Sequence, residues 1–322
     1  MPRLSIGIPV YNGESMLAAA LDSLLAQTFD DFEIIIADNA STDATPQILA
    51  AYAARDPRIR YVQNQRNVGA NANFLKVATL ASAPFFKWAA HDDLYSPAYL
   101  ERCMSVLEAD SGLVLAHSDT VFIDEGGAPY RASNRPGEWI GPRGDAVFIA
   151  DPTDLAASGT PLARFAHVVF GSLWGTHMFG VIPRRALERT SLIQNVPNSD
   201  RPLLAELALL GRFHTVAEPL FLKRLHPRMS LNLSSAETIA YVSGDQAGYS
   251  RRGRQLSVYL RTPDRKPVGW GTRTACRAVV LAYSAQVALR ALAGKGHQAV
   301  RPLSPVERDR DNNKLGTASS RT

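Results

Sequence analysis

The sequence predicts an α/β fold, with a mostly parallel central sheet flanked by helices. Over the first 120 residues, short apolar runs alternate with segments of helical periodicity. One run, FEIIIA at 32–37, is apolar except for Glu33, as in a strand buried on both faces of a sheet. Polar clusters follow these runs, as expected where strands end at a binding edge. These three observations together predict the fold class.

The first 120 residues are predicted to alternate strictly between strand and helix. The turn residues Ser41, Thr42 and Asp43 are typical helix N-caps, and they predict where the second helix begins. That helix is predicted to run to about residue 54. The predicted strands are 4–10, 32–37, 59–63, 84–89 and 113–117, and the other predicted helices are 15–27, 71–81 and 97–108.

Beyond residue 123 the alternation weakens. Residues 124–145 are rich in Gly, Pro and Arg and are predicted to form a loop or insertion. The predicted helices are 154–167, 200–210 and 273–292, and the predicted strands are 178–182, 213–216 and 220–222. We therefore predict one domain at 1–226 with halves at 1–123 and 124–226, a basic helical extension at 227–300 and a disordered tail at 301–322.

Charge is distributed unevenly along the chain. Residues 1–222 contain 17 Lys and Arg against 24 Asp and Glu, a net charge of −7. Residues 223–322 contain 18 against 6, a net charge of +12. Two explanations fit this basic region: contact with an anionic membrane surface, or simple solvation of a charged tail. No recognisable nucleic-acid-binding motif accompanies it, so we expect no nucleic-acid partner.

Cysteine usage and hydropathy predict a cytoplasmic protein. Cys103 and Cys276 are too few for a disulfide framework. The N-terminal apolar run is too short for a signal peptide, and the longest uncharged apolar run, 278–289, is too short to cross a bilayer. Together with the basic C-terminal region, these features predict a peripheral contact with the inner face of the plasma membrane.

Four polar clusters follow predicted strands, at 11–14, 38–43, 64–73 and 91–93. Ligands of open α/β sheets bind outside the carboxyl ends of the strands, so four such clusters on one edge predict a single site. The sequence contains no G-x-G-x-x-G after the first strand, and no G-x-x-x-x-G-K-[ST]. It also lacks H-E-x-x-H and G-x-S-x-G. These absences disfavour a dinucleotide oxidoreductase and a P-loop kinase.

Two adjacent carboxylates, Asp92 and Asp93, follow the apolar run 85–90. Such a pair is costly at a buried strand end unless it is compensated. A divalent cation would compensate it, because Mg²⁺ is commonly held by one or two carboxylates together with substrate phosphates. A pair of acids at the start of the next helix is the alternative, and it stays open here.

The four clusters, in their order and spacing, resemble family 2 glycosyltransferases of the GT-A fold. The matching segments are SIGIPVYNGE at 5–14, IIIADNASTD at 34–43, NVGANANF at 67–74 and KWAAHDDLY at 87–95. The resemblance covers roughly residues 3–226. It implies a Rossmann-like nucleotide-binding half, an acceptor half, and a Mg²⁺ or Mn²⁺ ion, between which oxygen ligands do not decide.

The activity that the resemblance implies is transfer of a sugar to an acceptor hydroxyl with inversion. The donor would be a UDP-, dTDP- or GDP-sugar. The reaction would be a step of cell-surface polysaccharide or glycolipid synthesis. The acceptor would be a saccharide, a lipid-linked saccharide or a protein. The motif departs from the family pattern at His91, where an aspartate is common.

The resemblance also implies roles on the donor side. Tyr11 would lie near the nucleotide base, which Asp38 would hydrogen-bond, and Asp93 would bind the metal ion. The other implied donor-binding residues are Pro9, Glu14, Asn67, Gly69, Asp92 and His226, of which His226 is also a candidate metal ligand. Simple loop packing is the alternative for Tyr11, and a turn aspartate for Asp38.

On the acceptor side, Asp200 corresponds to the catalytic base of inverting members. It would accept the proton of the acceptor hydroxyl. Helix capping is its alternative role. Trp174 and His177 would face the acceptor, although an ordinary core tryptophan is an equally good interpretation.

Two other functions were weighed. A nucleotidyltransferase usually has a Gly-rich basic loop after its first strand, and the Tyr-Asn-Gly-Glu loop here contains no basic residue. A non-catalytic binder of sugar nucleotides or saccharides on a degenerate GT-A scaffold stays open, because His91 replaces the first acid of the metal motif.

Overall fold

The computed structural model describes residues 1–135, 137–149, 152–172, 175–244, 252–264 and 266–292. In chain order, the strands of these residues are β1 to β11: Leu4–Val10, Phe32–Asp38, Ile59–Gln63, Phe85–Trp88, Leu94–Tyr95, Leu113–Ile123, Arg131–Ala132, Glu138–Ile140, Ala146–Phe148, Val181–Pro183 and Arg212–Arg224. The helices are α1 to α10: Leu17–Leu25, Thr45–Arg55, Ala70–Leu80, Tyr99–Ala109, Pro161–Gly171, Arg184–Leu187, Asp200–Leu210, Ser235–Ser243, Arg252–Arg261 and Trp270–Leu292. Short 3₁₀ helices lie at Thr176–Phe179 and Ser230–Asn232.

The central sheet has eight strands in the order β3-β2-β1-β4-β10-β6-β11-β5. Strands β3, β2, β1 and β4 are mutually parallel, and β6 and β11 are parallel to each other. Only β10 and β5 run antiparallel to their neighbours. The predicted α/β architecture with a mostly parallel sheet is therefore confirmed, and the carboxyl ends of β1 to β4 meet at one edge.

Both faces of this sheet are buried. Along β2, Ile34 and Ile36 belong to one hydrophobic cluster, whereas Ile35 and Ala37 belong to another. Successive side chains of a strand point to opposite faces, so the two clusters are the two layers that cover the sheet. This explains why residues 34–37 are apolar at every position, whereas the half-buried position 33 is a glutamate.

The first half of the chain follows its prediction closely except at one helix start, at β5, which was not predicted, and at β6, which was predicted to end at 117 but continues to Ile123. Strands β1 and β3 have the predicted bounds, but the residue that precedes α2 is Ala44, which makes no side-chain cap. Ser41 and Asp43 instead accept hydrogen bonds from the backbone N–H groups of Asn12 and Glu14. The predicted cap residues therefore hold the loop after β1, although Asp43 also accepts from the backbone of Thr45.

The second half departs from its prediction at several elements. The predicted loop at 124–145 contains β7 and β8, which form a three-stranded antiparallel sheet with β9. Helix α5 begins at Pro161 behind the cap Thr160, later than predicted, and part of the predicted strand at 178–182 is a 3₁₀ helix. Strand β11 is continuous where two strands were predicted, with an irregular register around Pro219. Helices α6, α8 and α9 were not predicted.

The C-terminal helices pack on the main body of the molecule. Tyr259 of α9 and Cys276 and Val280 of α10 belong to the same hydrophobic cluster as the buried residues of α5 and α7. Among the described residues, no helix combines the length and the apolarity needed to cross a membrane. The predicted tail at 301–322 lies outside the described residues.

Candidate functional site

The carboxyl ends of β2 and β3 are joined through the predicted base-binding residue, Asp38. This residue is fully buried at the last position of β2. Its Oδ1 accepts from the backbone N–H of Ser41 at 3.0 Å, and its Oδ2 accepts from Gln63 Nε2 at 2.9 Å. The carboxylate is therefore held in a fixed orientation beneath the edge of the sheet.

A cluster of asparagine side chains fixes the loop after β3. Asn39 Nδ2 donates to Asn67 Oδ1 at 2.8 Å, and Asn64 Nδ2 donates to Asn39 Oδ1 at 2.9 Å. Asn64 Nδ2 also donates to Asn73 Oδ1 at 3.0 Å. Sequence analysis singled out only Asn67 of these. The density of asparagine at two successive strand ends is the signal that could have found the others.

The loop after β1 combines a buried, an exposed and a tethered residue. Pro9 is buried in β1, whereas Tyr11 is 44% exposed at the rim of the edge. Glu14 Oε2 accepts from the backbone N–H of Ala44 at 2.9 Å. Tyr11 is thus accessible for stacking on a base, whereas the carboxylate of Glu14 links two neighbouring loops.

Gly69 brings the C-terminal region to this edge. Its φ of +86° lies in the region that favours glycine. A Cβ on Gly69 would lie 2.3 Å from Val242 O and 2.8 Å from Gly244 N. The close approach that this glycine permits is therefore to the end of α8.

The two adjacent aspartates have different surroundings. Asp93 is fully buried, its Oδ2 accepts from Lys223 Nζ at 2.9 Å, and its Oδ1 accepts from the backbone N–H of Arg224 at 3.0 Å. Burial and the negative charge of Asp92 raise the pKa of Asp93, against the opposing effect of Lys223. Because both oxygens are engaged inside the protein, this geometry disfavours the expected metal-binding role of Asp93.

Asp92 forms a pair with His226. Asp92 Oδ2 lies 2.9 Å from His226 Nε2. Burial disfavours the charged form of Asp92, but the hydrogen bond with His226 and the nearby His91 and Lys223 outweigh this effect and lower its pKa. Among the described residues, His226 Nδ1 is buried without a hydrogen-bond partner. The result is an ionised carboxylate next to an imidazole at the carboxyl edge of the sheet.

The hydrogen bond between Asp92 and His226 engages the facing atom of each side chain, so the pair is not a formed metal site. No group of three or more His, Cys, Asp or Glu side chains suited to a metal ion occurs in the described part of the chain. A complete protein cage is not required, because Mg²⁺ usually retains water or substrate phosphates as ligands. One carboxylate and one imidazole would leave positions for diphosphate oxygens.

Asp200 lies at the first position of α7, next to a glycine that makes room for it. A Cβ on Gly175, whose φ is +65°, would lie 2.1 Å from Asp200 Oδ2. Gly175 leads directly into Thr176 and His177. His177 is buried, and its ring centroid is 5.5 Å from that of His117. Trp174, the other predicted acceptor residue, lies outside the described residues.

Tyr241 of α8 links Asp92 with Asp200. Tyr241 is 43% exposed, and the remaining burial of its phenol, followed by the negative charges of Asp92 and Asp200, raises its pKa. Both carboxylates are therefore within electrostatic range of the same phenol. Sequence analysis missed Tyr241 and Lys223, because neither belongs to a motif that the strand ends display.

The C-terminal region spans the edge from one loop to another. Arg228 Nη2 donates to Ser15 Oγ at 3.0 Å, close to the loop after β1. Asn232 Nδ2 donates to the carbonyl oxygens of His226 and Pro227. Helix α8 then ends against Gly69, so the segment 226–244 connects the loops after β1, β3 and β4.

The comparison of sequences identifies a family over the first half of the chain. Residues 5–160 match the model described as Glycosyl transferase family 2. EpsH of Bacillus subtilis is 34% identical over 125 residues, which are 39% of this chain and 36% of EpsH. EpsE of the same organism is 32% identical over 177 residues, which are 54% of this chain and 59% of EpsE. The chain therefore matches less than two thirds of either relative.

The comparison of folds points the same way. S. aureus TarS 1–349 in complex with UDP-GlcNAc matches with a TM-score of 0.59 at 15% identity, over 89% of this chain and 73% of that chain. The mannosyltransferase PcManGT from Pyrobaculum calidifontis, in complex with GDP-Man and Mn²⁺, matches with a TM-score of 0.50 at 15% identity, over 92% and 82%. Residues 5–160 of the chain are thus similar to glycosyl transferase family 2, and the fold is of the GT-A type.

Proposed function

We propose that this protein transfers a sugar from a nucleotide-diphosphate donor to an acceptor hydroxyl, with inversion at the anomeric carbon. One observation carries the proposal. Asp92, which lies 2.9 Å from His226, and Asp200 are both within electrostatic range of Tyr241. The pair suits the diphosphate of a donor, and Asp200 suits a proton-accepting role.

The donor side is supported by the strand-end loops. Tyr11 is exposed for stacking on a base, whereas Asp38 is fully buried with both oxygens engaged and would act by holding the loops beside the base. The structural neighbours hold UDP-GlcNAc and GDP-Man, which supports a nucleotide-sugar donor here. UDP-, dTDP- and GDP-sugars are all compatible with these contacts, and the other proposed donor-binding residues are Pro9, Glu14, Asn67 and Gly69.

Asp92 and His226 are proposed to hold Mg²⁺ or Mn²⁺, in place of Asp93. A cation bound there would offset the negative charge of the diphosphate. Asp93, paired with Lys223, positions the backbone on which Asp92 lies. The neighbour that contains Mn²⁺ supports a divalent ion.

In the proposed reaction, Asp200 accepts the acceptor's hydroxyl proton while that oxygen bonds to the anomeric carbon. The bond between this carbon and the diphosphate oxygen breaks, and its electron pair leaves with the diphosphate. A single displacement of this kind inverts the anomeric configuration. Gly175 leaves the space in which the Asp200 carboxylate sits.

The first experiment measures binding and slow hydrolysis of a panel of UDP-, dTDP- and GDP-sugars, with Mn²⁺, Mg²⁺ or EDTA. We expect the wild type to bind one donor in a metal-dependent manner, and Asp92→Asn to lose that dependence. Asp30→Asn makes the same chemical change at an exposed residue before β2, at the opposite end of the sheet, and serves as the matched control. Failure of the wild type to bind any donor would favour the alternative, a binder on a degenerate scaffold that recognises saccharides alone.

Helix α10 supports contact with an anionic membrane surface. Trp270, Leu281, Leu289 and Leu292 are 81%, 53%, 66% and 85% exposed. Their spacing places them on one face of the helix, with exposed alanines between them. The helix contains Arg273, Arg277 and Arg290 and no acidic residue. Exposed apolar residues flanked by arginines are typical of helices that lie in the membrane interface.

An anionic lipid surface fits this face better than a second copy of the chain. In a two-fold dimer through α10, the arginines of both copies would approach one another. We therefore place the protein in the cytoplasm, at the inner face of the plasma membrane, with a saccharide, a lipid-linked saccharide or a protein as acceptor.

Vesicle flotation tests the membrane contact. Binding is expected on vesicles that contain phosphatidylglycerol and not on phosphatidylcholine alone, and it should decrease with salt. The double variant Leu281→Ser, Leu289→Ser should lose it, whereas Phe148→Ser, at an exposed apolar residue of β9, should retain it. A salt-insensitive dimer that the double variant dissociates would overturn this assignment.

A further inference from the structure

The chain reaches Asp200 through an irregular connection between α6 and α7. Residues 188–199 of this connection form no helix or strand. Leu192 and Asn198 have φ values of 53° and 52°, in the left-handed region that residues other than glycine seldom adopt. Such a backbone keeps one conformation only where its surroundings hold it. Residues 194–199, which we call the base segment, are held by side chains from other parts of the chain.

The first of these side chains is Asn71, in the first turn of α3. Its Nδ2 donates to the carbonyl oxygen of Gln194 at 2.9 Å and to that of Val196 at 2.8 Å. An amide nitrogen carries two hydrogens and a carbonyl oxygen can only accept, so these two partners fix the orientation of the amide and use all of its donors. Asn71 therefore fastens the base segment to α3 at two positions.

The same turn of α3 is also fastened to the carboxyl edge of the sheet. Asn73 Nδ2 donates to the carbonyl oxygen of Ala37, next to Asp38 in β2, at 2.7 Å. Two residues of a helix that are two positions apart point in directions about 200° apart, because each residue turns the helix by about 100°. Asn71 and Asn73 thus make α3 a bridge between the carboxyl edge and the base segment.

The C-terminal helices hold the base segment from elsewhere. Gln255 Nε2 of α9 donates to the carbonyl oxygen of Pro197 at 3.1 Å. Arg201, which follows Asp200, is buried and donates to the Tyr283 hydroxyl of α10, and its Cζ lies 5.3 Å from the centroid of that ring. The position of Asp200 is thus fixed by contacts with α3, α9 and α10.

We propose that Asn71 is a positioning residue for the proposed catalytic base. Its two hydrogen bonds to the base segment set the position of the Asp200 carboxylate relative to the carboxyl edge, where the donor is proposed to bind. Asn71 acts through Asp200 and takes no part in the proton transfer itself. The inference rests on the proposed transferase function, because it concerns the step in which Asp200 accepts a proton.

The test is Asn71→Leu in the full chain, which keeps a side chain of similar shape and removes both donors. Leucine is a strong helix former, so α3 should persist. We expect kcat for hydrolysis of radiolabelled sugar nucleotides, screened over UDP-, dTDP- and GDP-sugars, to fall about 10- to 100-fold, since a misplacement of about 1 Å can cost about 10²-fold. The donor Kd, measured by calorimetry, should change by less than about twofold, because uniform binding is not affected.

Two further variants separate positioning from a general loss of stability. Gln255→Leu removes the hydrogen bond to Pro197 and should lower kcat about three- to tenfold, with the donor Kd again unchanged. Gln27→Leu is the matched control. Gln27 Nε2 also donates to two carbonyl oxygens, those of Ser23 and Ser96, but it lies between α1 and the start of β2, at the opposite edge of the sheet. This control should keep kcat within about twofold of the wild type, because independent sites do not couple.

The double variant Asn71→Leu, Asp200→Asn shows whether Asn71 acts through the base. Adding Asn71→Leu to Asp200→Asn should lower turnover by less than about twofold further, because the group that Asn71 positions is already absent. An undiminished effect of Asn71→Leu in that background would overturn the inference, and so would an unchanged kcat in Asn71→Leu alone. A wild type that turns over no donor of the panel removes the transferase and this inference together, whereas an active wild type with an equally active Asn71→Leu variant removes this inference alone.

Discussion

The donor edge and the acceptor side of this site are built in different ways. At the donor edge, neighbouring loops hold one another through short side-chain contacts, such as Asp38 with Ser41 and Asn39 with Asn67. On the acceptor side, the carboxylate of Asp200 occupies space that Gly175 leaves free, and it lies within electrostatic range of Tyr241. These three residues come from separate segments of the chain. The difference teaches that local sequence specifies the donor edge, whereas packing between distant segments assembles the acceptor side.

The strongest test of the acceptor side removes its proposed base. Asp200→Asn should lower kcat for sugar transfer by about 10²- to 10⁴-fold, because an amide cannot accept the proton. The donor Kd should stay unchanged, because the donor edge does not include Asp200. Steady-state kinetics with calorimetric donor binding measures both, and a weakened donor Kd would contradict the separation of the two regions.

A smaller effect is expected when Asp200 is displaced rather than removed. In Gly175→Ala, the added Cβ would meet the carboxylate, and the φ of +65° is unfavourable for alanine. A misplacement of the base by about 1 Å can lower kcat by about 10²-fold. Unchanged kinetics in a crystallographically verified Gly175→Ala protein would show that Asp200 does not need this position.

Gly69→Ala tests the contact between the donor edge and α8. The backbone of Gly69, with φ 86° and ψ 155°, lies in a region that is essentially restricted to glycine, so the change should cost about 1–3 kcal/mol of unfolding free energy. Displacement of Val242 and Gly244 should also weaken donor binding. Urea unfolding and donor calorimetry measure the two effects, and Gly127→Ala, at an open loop position with positive φ, is the matched control.

The last prediction concerns Lys87, on the strand where the parallel donor half meets the antiparallel β10. This lysine is fully buried, with Nζ 3.9 Å from the ring centroid of Tyr95. Burial lowers its pKa to about 7 from the ordinary 10.5. Between these two values the unfolded chain binds one more proton than the folded protein, so Lys87 makes the free energy of unfolding rise with pH, by up to about 1.4 kcal/mol per pH unit.

Lys87→Met should remove this contribution. Urea unfolding at pH 7.5 and 9.5 should show a smaller gain in stability with pH than in the wild type. Equal gains in both proteins would mean that Lys87 is not neutral in the folded state near pH 9.5.

Prediction from sequence succeeded where the chain's own pattern decides the structure. Strands β1 and β3 and helix α7 have the predicted bounds, because apolar runs and helical periodicity specify them locally. It failed at Ser41 and Asp43, whose side chains bind another loop, and at residues 124–145, whose strands pair with one another despite weak apolar patterning. The roles proposed for Tyr11, Asp38 and Asp200 remain predictions.

By itself, the sequence determined the parallel half of the sheet, the polar clusters at its carboxyl edge and the family that residues 5–160 resemble. Periodicity and strand-end chemistry are local properties, so they can be recognised directly in the amino-acid sequence. Only the tertiary structure distinguished Asp92 from Asp93, because their difference comes from His226 and Lys223, more than 100 positions away. It alone also brought Tyr241 and Gly175 close to Asp200, since the packing of distant segments leaves no local pattern in the residues that it joins.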